Sequence, residues 1–121
     1  MIVRGPFDEG ALTGNVTPET TFDEGDFRNE YFKGDRKQEV RERVRAIVSE
    51  LGIPEEKLPE VALRYVLSHP AVSTVILGMR SVRNVERNIA VADGAGIPAD
   101  QIQKLKAHRW ARNFYPAPSG A

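Results

Sequence analysis

Val72-Ser73-Thr74-Val75-Ile76-Leu77-Gly78-Met79-Arg80-Ser81-Val82-Arg83-Asn84-Val85-Glu86-Arg87-Asn88 is the stretch that decides how the chain folds. Its first six residues are β-branched or apolar at almost every position, the pattern of a strand buried on both faces. Gly78 closes the strand, and Ser81 stands where the N-cap of a following helix belongs. Val82, Val85, Ile89 and Ala92 then fall on one helical stripe. A strand that turns within a few residues into a helix aims the helix's free amides and positive dipole end back at the turn. Arg80 sits in that turn and Arg83 in the first helical turn. Cations are unfavourable at a helix N-terminus unless an anion meets them. Two readings stay open on spacing alone. One is a phosphate site of the kind barrels build after their last strands; the other is a solvent-facing arginine in an ordinary loop.

Upstream, Leu58, Val61, Ala62, Tyr65 and Val66 make the buried side of a helix that starts near Leu58 or Pro59. Proline suits its first turn, and His69-Pro70 stops it. Tyr65 reads as a core aromatic and His69 as a helix-end residue. Before it, Val40, Val44, Ile47, Val48 and Leu51 form the apolar stripe of a highly charged helix. Asp35 and Gln38 have capping-box spacing at its start, and Gly52 ends it. The charge run from Arg41 to Arg45 reads as its solvated face.

Residues 6–34 repeat with neither a helical nor a strand period. Gly10, Gly14, Gly25 and Gly34, with Thr17-Pro18-Glu19-Thr20-Thr21, make this a long loop. Loops beyond about 15 residues are usually functional or disordered. Phe7, Phe22, Phe27, Tyr31 and Phe32 favour an ordered one that packs on something. Asp23, Glu24 and Asp26 lie in a glycine-rich setting and read as solvated rather than as a catalytic carboxylate pair. Met1-Ile2-Val3 is short enough to be only the end of a buried strand.

Composition narrows the function. With 17 basic and 17 acidic residues among 121, the chain has no cationic surplus for nucleic-acid binding. The absence of cysteine excludes disulfides, thiolate metal sites and a cysteine nucleophile, and nothing has metal-ligand spacing. No apolar run approaches the roughly 20 residues of a membrane span, and the start lacks the plan of a signal peptide. The expectation is a cytoplasmic protein without membrane or nucleic-acid partners.

Residues 78–88 resemble the C-terminal cofactor motif of the aldo-keto reductases, roughly Gly-x-Arg/Ser-Ser-x-x-Gln-x-x-Glu-Asn. Arg4-Gly5-Pro6-Phe7-Asp8-Glu9-Gly10-Ala11-Leu12-Thr13-Gly14-Asn15 resembles that family's Ser-Pro-Leu-x-x-Gly-x-Leu-Thr-Gly-Lys, the loop leaving the seventh barrel strand. Residues 61–68 resemble the helix before the eighth. The three matches stand in family order and cover nearly the whole chain.

The resemblance implies an α/β fold, a mainly helical C-terminal fragment of a (β/α)8 TIM barrel with one full buried strand and about four helices. It divides the chain into a strand stump and cofactor-type loop over 1–34 and two helices over 35–70. Strand, phosphate-type turn and helix then occupy 71–93, a terminal helix 97–110 with Ile102 and Leu105 inward, and a tail 111–121. It further implies that NADP(H) is the cofactor, bound at Gly78, Arg80, Asn84 and Asn88 and along Gly5, Pro6, Phe7 and Asp8. Arg80 would meet the 2′-phosphate, Asn88 would lie near the adenine, and Arg28 would help to close the long loop.

Several positions depart from the family pattern. Gly5 stands for Ser, Asn15 for Lys and Arg87 for Glu, so the pyrophosphate loses a cation and the adenine an acceptor. A hydrogen bond to a charged group is worth about 1.5–3 kcal/mol, so binding is expected to be weak or lost in the isolated chain, with Arg80 and Arg83 in partial compensation. The family's catalytic tyrosine, lysine, aspartate and histidine come from earlier strands. None of Tyr31, Tyr65, Tyr115, Lys33, His69 or His108 has their context, so the chain alone is expected to be inactive. A barrel of roughly 250 residues also leaves room for another role, as an assembly module completed by a homo-oligomer or a separate N-terminal chain.

Overall fold

A computed structural model describes residues 1–109, 114 and 115. The described chain is mainly helical. Strand β1 (Ile2–Arg4) leads through a 3-10 turn (Ala11–Thr13) and the short helix α1 (Arg28–Tyr31) to α2 (Arg36–Leu51) and α3 (Leu58–Leu67). Strand β2 (Thr74–Ile76), α4 (Val82–Ala90) and α5 (Ala99–Ala107) follow. The last helix, expected to run to Trp110, closes at Ala107 with His108 as its C-cap; Trp110 itself and the tail 116–121 lie outside the described residues.

The two strands pair in parallel, Ile2 with Thr74, Val3 with Val75 and Arg4 with Ile76. The amide of Ser73 extends the ladder by donating to the Met1 carbonyl at 2.8 Å. Side chains alternate across a strand, so Val3 and Val75 turn inward together while Ile2 and Ile76 are exposed. This corrects the expectation of a strand buried on both faces. That pattern needs a layer on each side of the sheet, and here Ile2 and Ile76 are left uncovered.

The core forms where α2 meets the 3-10 turn and α3. Val40, Val44 and Ile47 are buried as the stripe requires, and Val48 and Leu51 pack against them half-exposed. Leu58, Val61 and Ala62 are buried on α3, with Tyr65 and Val66 half-buried. Leu63 is buried as well, which the single-stripe reading misses: α3 contacts the 3-10 turn and also β2 and α4, so more than one of its faces is covered. Burial of such side chains, at about 25 cal/mol per Å² of apolar surface, holds the helices together.

Two helix ends differ in how they are closed. Gly52 takes the left-handed conformation after α2 and returns its amide to Ser49 and Val48 carbonyls. The Asp35–Gln38 capping box does not form: Asp35 makes no side-chain cap bond, and Gln38 Nε2 donates instead to Glu42 Oε1 at 2.7 Å. Asp35 has φ −85° and ψ 3°, not the extended backbone of an N-cap.

The long loop is ordered by its aromatics. Phe22 stacks on Phe32, Tyr31 meets Phe32 edge to face, and Phe32 is wholly buried. Gly14 holds the loop close to α2. Its φ is +80°, and an added Cβ would stand 3.0 Å from Glu55 Oε1, the carboxylate that Arg41 also grips.

The apolar stripe of α4 is the largest departure. Val82 is 75% exposed and Ile89 60% exposed, Val85 is half-buried, and no residue of the helix is buried. Ala92 beyond it is exposed. An amphipathic helix buries its stripe only where another element lies opposite it, and the contact of α3 with α4 leaves Val82 and Ile89 uncovered. On α5, Ile102 and Leu105 are half-buried, with Leu105 against the core.

Candidate cofactor site

The turn from β2 into α4 has the geometry its spacing predicts. Ser81 is extended (φ −135°, ψ 154°), and its Oγ accepts the Asn84 amide at 3.2 Å. The N-cap leaves the remaining first-turn amides of a nine-residue helix directed outward. Arg80 and Arg83 are exposed beside them. Asn88, in the second turn of α4, donates from Nδ2 to the Gly78 carbonyl at 3.4 Å, which ties the helix to the turn before it.

Opposite this turn lies the loop that leaves β1. The Gly5 carbonyl accepts the Asp8 amide at 3.0 Å, and the Phe7 carbonyl accepts those of Gly10 and Leu12. Gly5 has φ +66°, a conformation strained for any residue with a Cβ, so the backbone itself favours glycine here over the family's usual serine. Between the two segments runs a groove of about 440 Å³, bounded by Gly5, Pro6, Phe7, Glu9 and Gly10 on one side and Ile76, Leu77 and Gly78 on the other. Three of the expected loop residues therefore line a groove with Gly78. Asp8 faces elsewhere, onto an apolar cavity between the helices, where its carboxylate takes the Tyr31 hydroxyl.

Arg28 is committed to a neighbour. Its Nη2 lies 2.7 Å from Asp26 Oδ2 and its Nε 3.0 Å from Oδ1, while the guanidinium sits 4.4 Å from the centre of the Phe22 ring. The paired guanidinium and the Arg28 backbone amide hold the Asp26 carboxyl at about 2, well below the usual carboxylate range, and Arg80 adds a weaker pull. Asp26 thus lies within electrostatic reach of both arginines expected near the cofactor.

Glu9 lines the groove without having been singled out from the sequence, and Tyr115 and Tyr31, set aside there as catalytic candidates, hold Glu9 and Asp8. The Tyr115 hydroxyl donates to Glu9 Oε1 at 2.7 Å, and its ring stacks on Phe27. That bond and burial push the Tyr115 hydroxyl up, and burial does the same for Tyr31. The aromatic richness of the loop was the available signal; the partners lie too far apart in sequence for spacing to reveal.

The described residues hold no cluster of metal-ligating side chains, and no helix among them is long and apolar enough to cross a membrane. His108 pairs with Glu50 and His69 accepts the Ala71 amide at 3.1 Å, so neither histidine joins the groove.

Parallel strands joined to a capped helix define a piece of an α/β architecture. The sequence profile of the Aldo/keto reductase family matches residues 1–109, and the chain belongs to that family. A curated relative, the "Uncharacterized oxidoreductase YqkF" of Bacillus subtilis (strain 168), is 28% identical over 108 residues. The match covers 89% of this chain and 34% of the relative, so the chain spans about a third of the length of the relative it matches.

Proposed function

We propose that the chain is the C-terminal, NADP(H)-binding portion of an oxidoreductase that transfers hydride to carbonyl compounds, and that it is not catalytic alone. The observation that carries this reading is the Ser81-capped start of α4, with Arg80 exposed beside it, two residues beyond the Gly78 that lines the groove with Gly5 and Pro6. A helix N-terminus with adjacent cations suits a phosphate, and Arg80 is the residue assigned to the 2′-phosphate. Asn84 and Asn88 would flank the adenine. Gly5, Pro6, Phe7 and Gly78 would lie along the cofactor, with Arg28 and Asp8 holding the surrounding loop. The residues fit the adenosine 2′-phosphate end better than the diphosphate, because the ionisable side chain lining the groove is Glu9. When bound, the cofactor supplies the hydride and the protein fixes its position.

Calorimetric titration with NADP+ and NAD+ tests this reading. NADP+ should bind more tightly, and Arg80→Ala should weaken NADP+ about tenfold while leaving NAD+ nearly unchanged. Equal losses for both would remove Arg80 from its assigned role.

The exposure of Ile2, Ile76, Met79, Val82 and Ile89 favours a second reading, assembly with a second copy or a separate N-terminal chain without cofactor binding. Open strand edges and exposed apolar patches invite such pairing. A compact monomer in sedimentation would count against it.

A further inference from the structure

We propose that the apolar cavity between α2, α3 and α5 binds a medium-chain aliphatic carboxylate. Its volume is about 340 Å³, within the roughly 300–1,000 Å³ typical of small-molecule sites. The inference does not rest on the cofactor reading. Of the residues bounding the groove under Gly5, Pro6 alone also borders this cavity.

The walls come from the apolar stripes of two helices. Val40, Val44 and Ile47 of α2 and Leu58, Val61 and Ala62 of α3 are all buried, yet they leave the space open between them. A water molecule needs two to four polar partners, so a space walled this way stays dry and takes apolar molecules instead. At about 30 Å³ per non-hydrogen atom, water's share of liquid volume, the cavity has room for roughly eleven such atoms, and octanoate has about ten.

The charges around the cavity select the head group. The described residues lining it are apolar or aromatic except Asp8, Arg43, His108 and Arg109. His108 is taken by Glu50, and the Asp8 carboxylate accepts the Tyr31 hydroxyl. Arg43 belongs to α2 and Arg109 follows the end of α5, and those two helices touch. Both arginines are exposed, so their guanidiniums stand at the rim while the stripe residues lie within. Two guanidiniums against one carboxylate make the lining cationic on balance. A guanidinium offers a fork of donors matched to a carboxylate, whereas an ammonium head would meet like charge. The cavity thus suits an aliphatic tail inside and an anionic head at the rim.

Calorimetric titration of the full chain with octanoate, hexanoate and octylamine tests this. It is run on the wild type, on Ala62→Leu and on the double variant Arg43→Gln/Arg109→Gln, with thermal unfolding to verify that each is folded. Octanoate should bind at one site, and hexanoate about fifteenfold more weakly for its two missing methylenes. Octylamine should bind about tenfold more weakly than octanoate or worse. Ala62→Leu fills the space and should abolish octanoate binding. The double variant should weaken octanoate about tenfold and narrow its advantage over octylamine. Undiminished octanoate binding by folded Ala62→Leu would overturn the site, as would a folded wild type that binds no octanoate. Equal binding of octanoate and octylamine by the wild type would overturn the assigned head group. If Ala62→Leu does not fold, the chain-length and head-group comparisons on the other two proteins decide the matter.

Discussion

Arg28 and Asp26 form a bidentate pair, with Nη2 to Oδ2 at 2.7 Å and Nε to Oδ1 at 3.0 Å, within the loop expected to cover a cofactor. The pairing engages the cation that the family resemblance assigns to loop closure, and Asp26 also draws on Arg80. The anion-binding capacity of this face is therefore partly neutralised from within.

Replacing Asp26 by Asn should release that capacity. We expect NADP+ to bind about three- to fivefold more tightly in titrations at low salt. The gain should shrink at 0.5 M salt, where the Debye length has fallen below about 5 Å. An unchanged affinity at low salt would mean that the pair and the ligand do not compete.

Phe32 carries the packing of the loop onto the helices. Its side chain is 0% exposed and touches the rings of Phe22 and Tyr31. Phe32→Ala should destabilise the fold by about 3–5 kcal/mol, read from urea or thermal unfolding. A loss below 1 kcal/mol would show that the loop contributes little to the core.

An apolar cavity of about 340 Å³ separates α2 and α3 and is lined by Val40, Val44, Leu58, Val61 and Ala62 among others. Close-packed interiors seldom leave such space. Ala62→Leu adds three carbon atoms at its wall, and filling of this kind raises stability by about 0.5–2 kcal/mol. A lower melting temperature for this variant would show the wall to be already filled.

Acid should weaken the fold through Asp26 and Asp93. Each has its carboxyl held at about 2 from an ordinary 3.8, by Arg28 and by Arg64 respectively. A carboxyl whose pKa falls on folding contributes stability above its unfolded value and loses it as pH drops through the folded one. The melting temperature should accordingly fall between about pH 4 and pH 2. Asp93→Asn, which breaks the contact of Arg64 Nη1 with Oδ1 at 2.8 Å, should flatten part of that slope.

Local chemistry was legible in the sequence wherever a short-range rule decides the outcome. Ser81 caps α4 and Gly52 ends α2, each through contacts within a few residues, and the Val40–Val44–Ile47 spacing names the face of α2 that is buried. Burial of β2 and of the α4 stripe was not legible. Valine and isoleucine at helical or strand spacing state which side is apolar, while what covers that side depends on elements far away or in another molecule. Asp35 forms no cap because its backbone, at φ −85° and ψ 3°, is not the extended one an N-cap takes, a conformation that spacing does not reveal. In the candidate site, Gly78 and the Gly5–Phe7 segment were readable from motifs. The Glu9–Tyr115 contact, 106 residues apart in sequence, was not.

The parallel pairing of Ile2 with Thr74 has a kinetic consequence. Bringing those ends together closes a loop of 72 residues, with an entropic penalty of about 4 kcal/mol beyond a fixed constant. Two strands of three residues return few backbone bonds for it. Helices form from neighbours and arise first, so the ladder would assemble last, once α2 and α3 have already shortened the path between its halves. In amide exchange, Val3 and Val75 would then report the earliest opening of the fold, well before α2 yields.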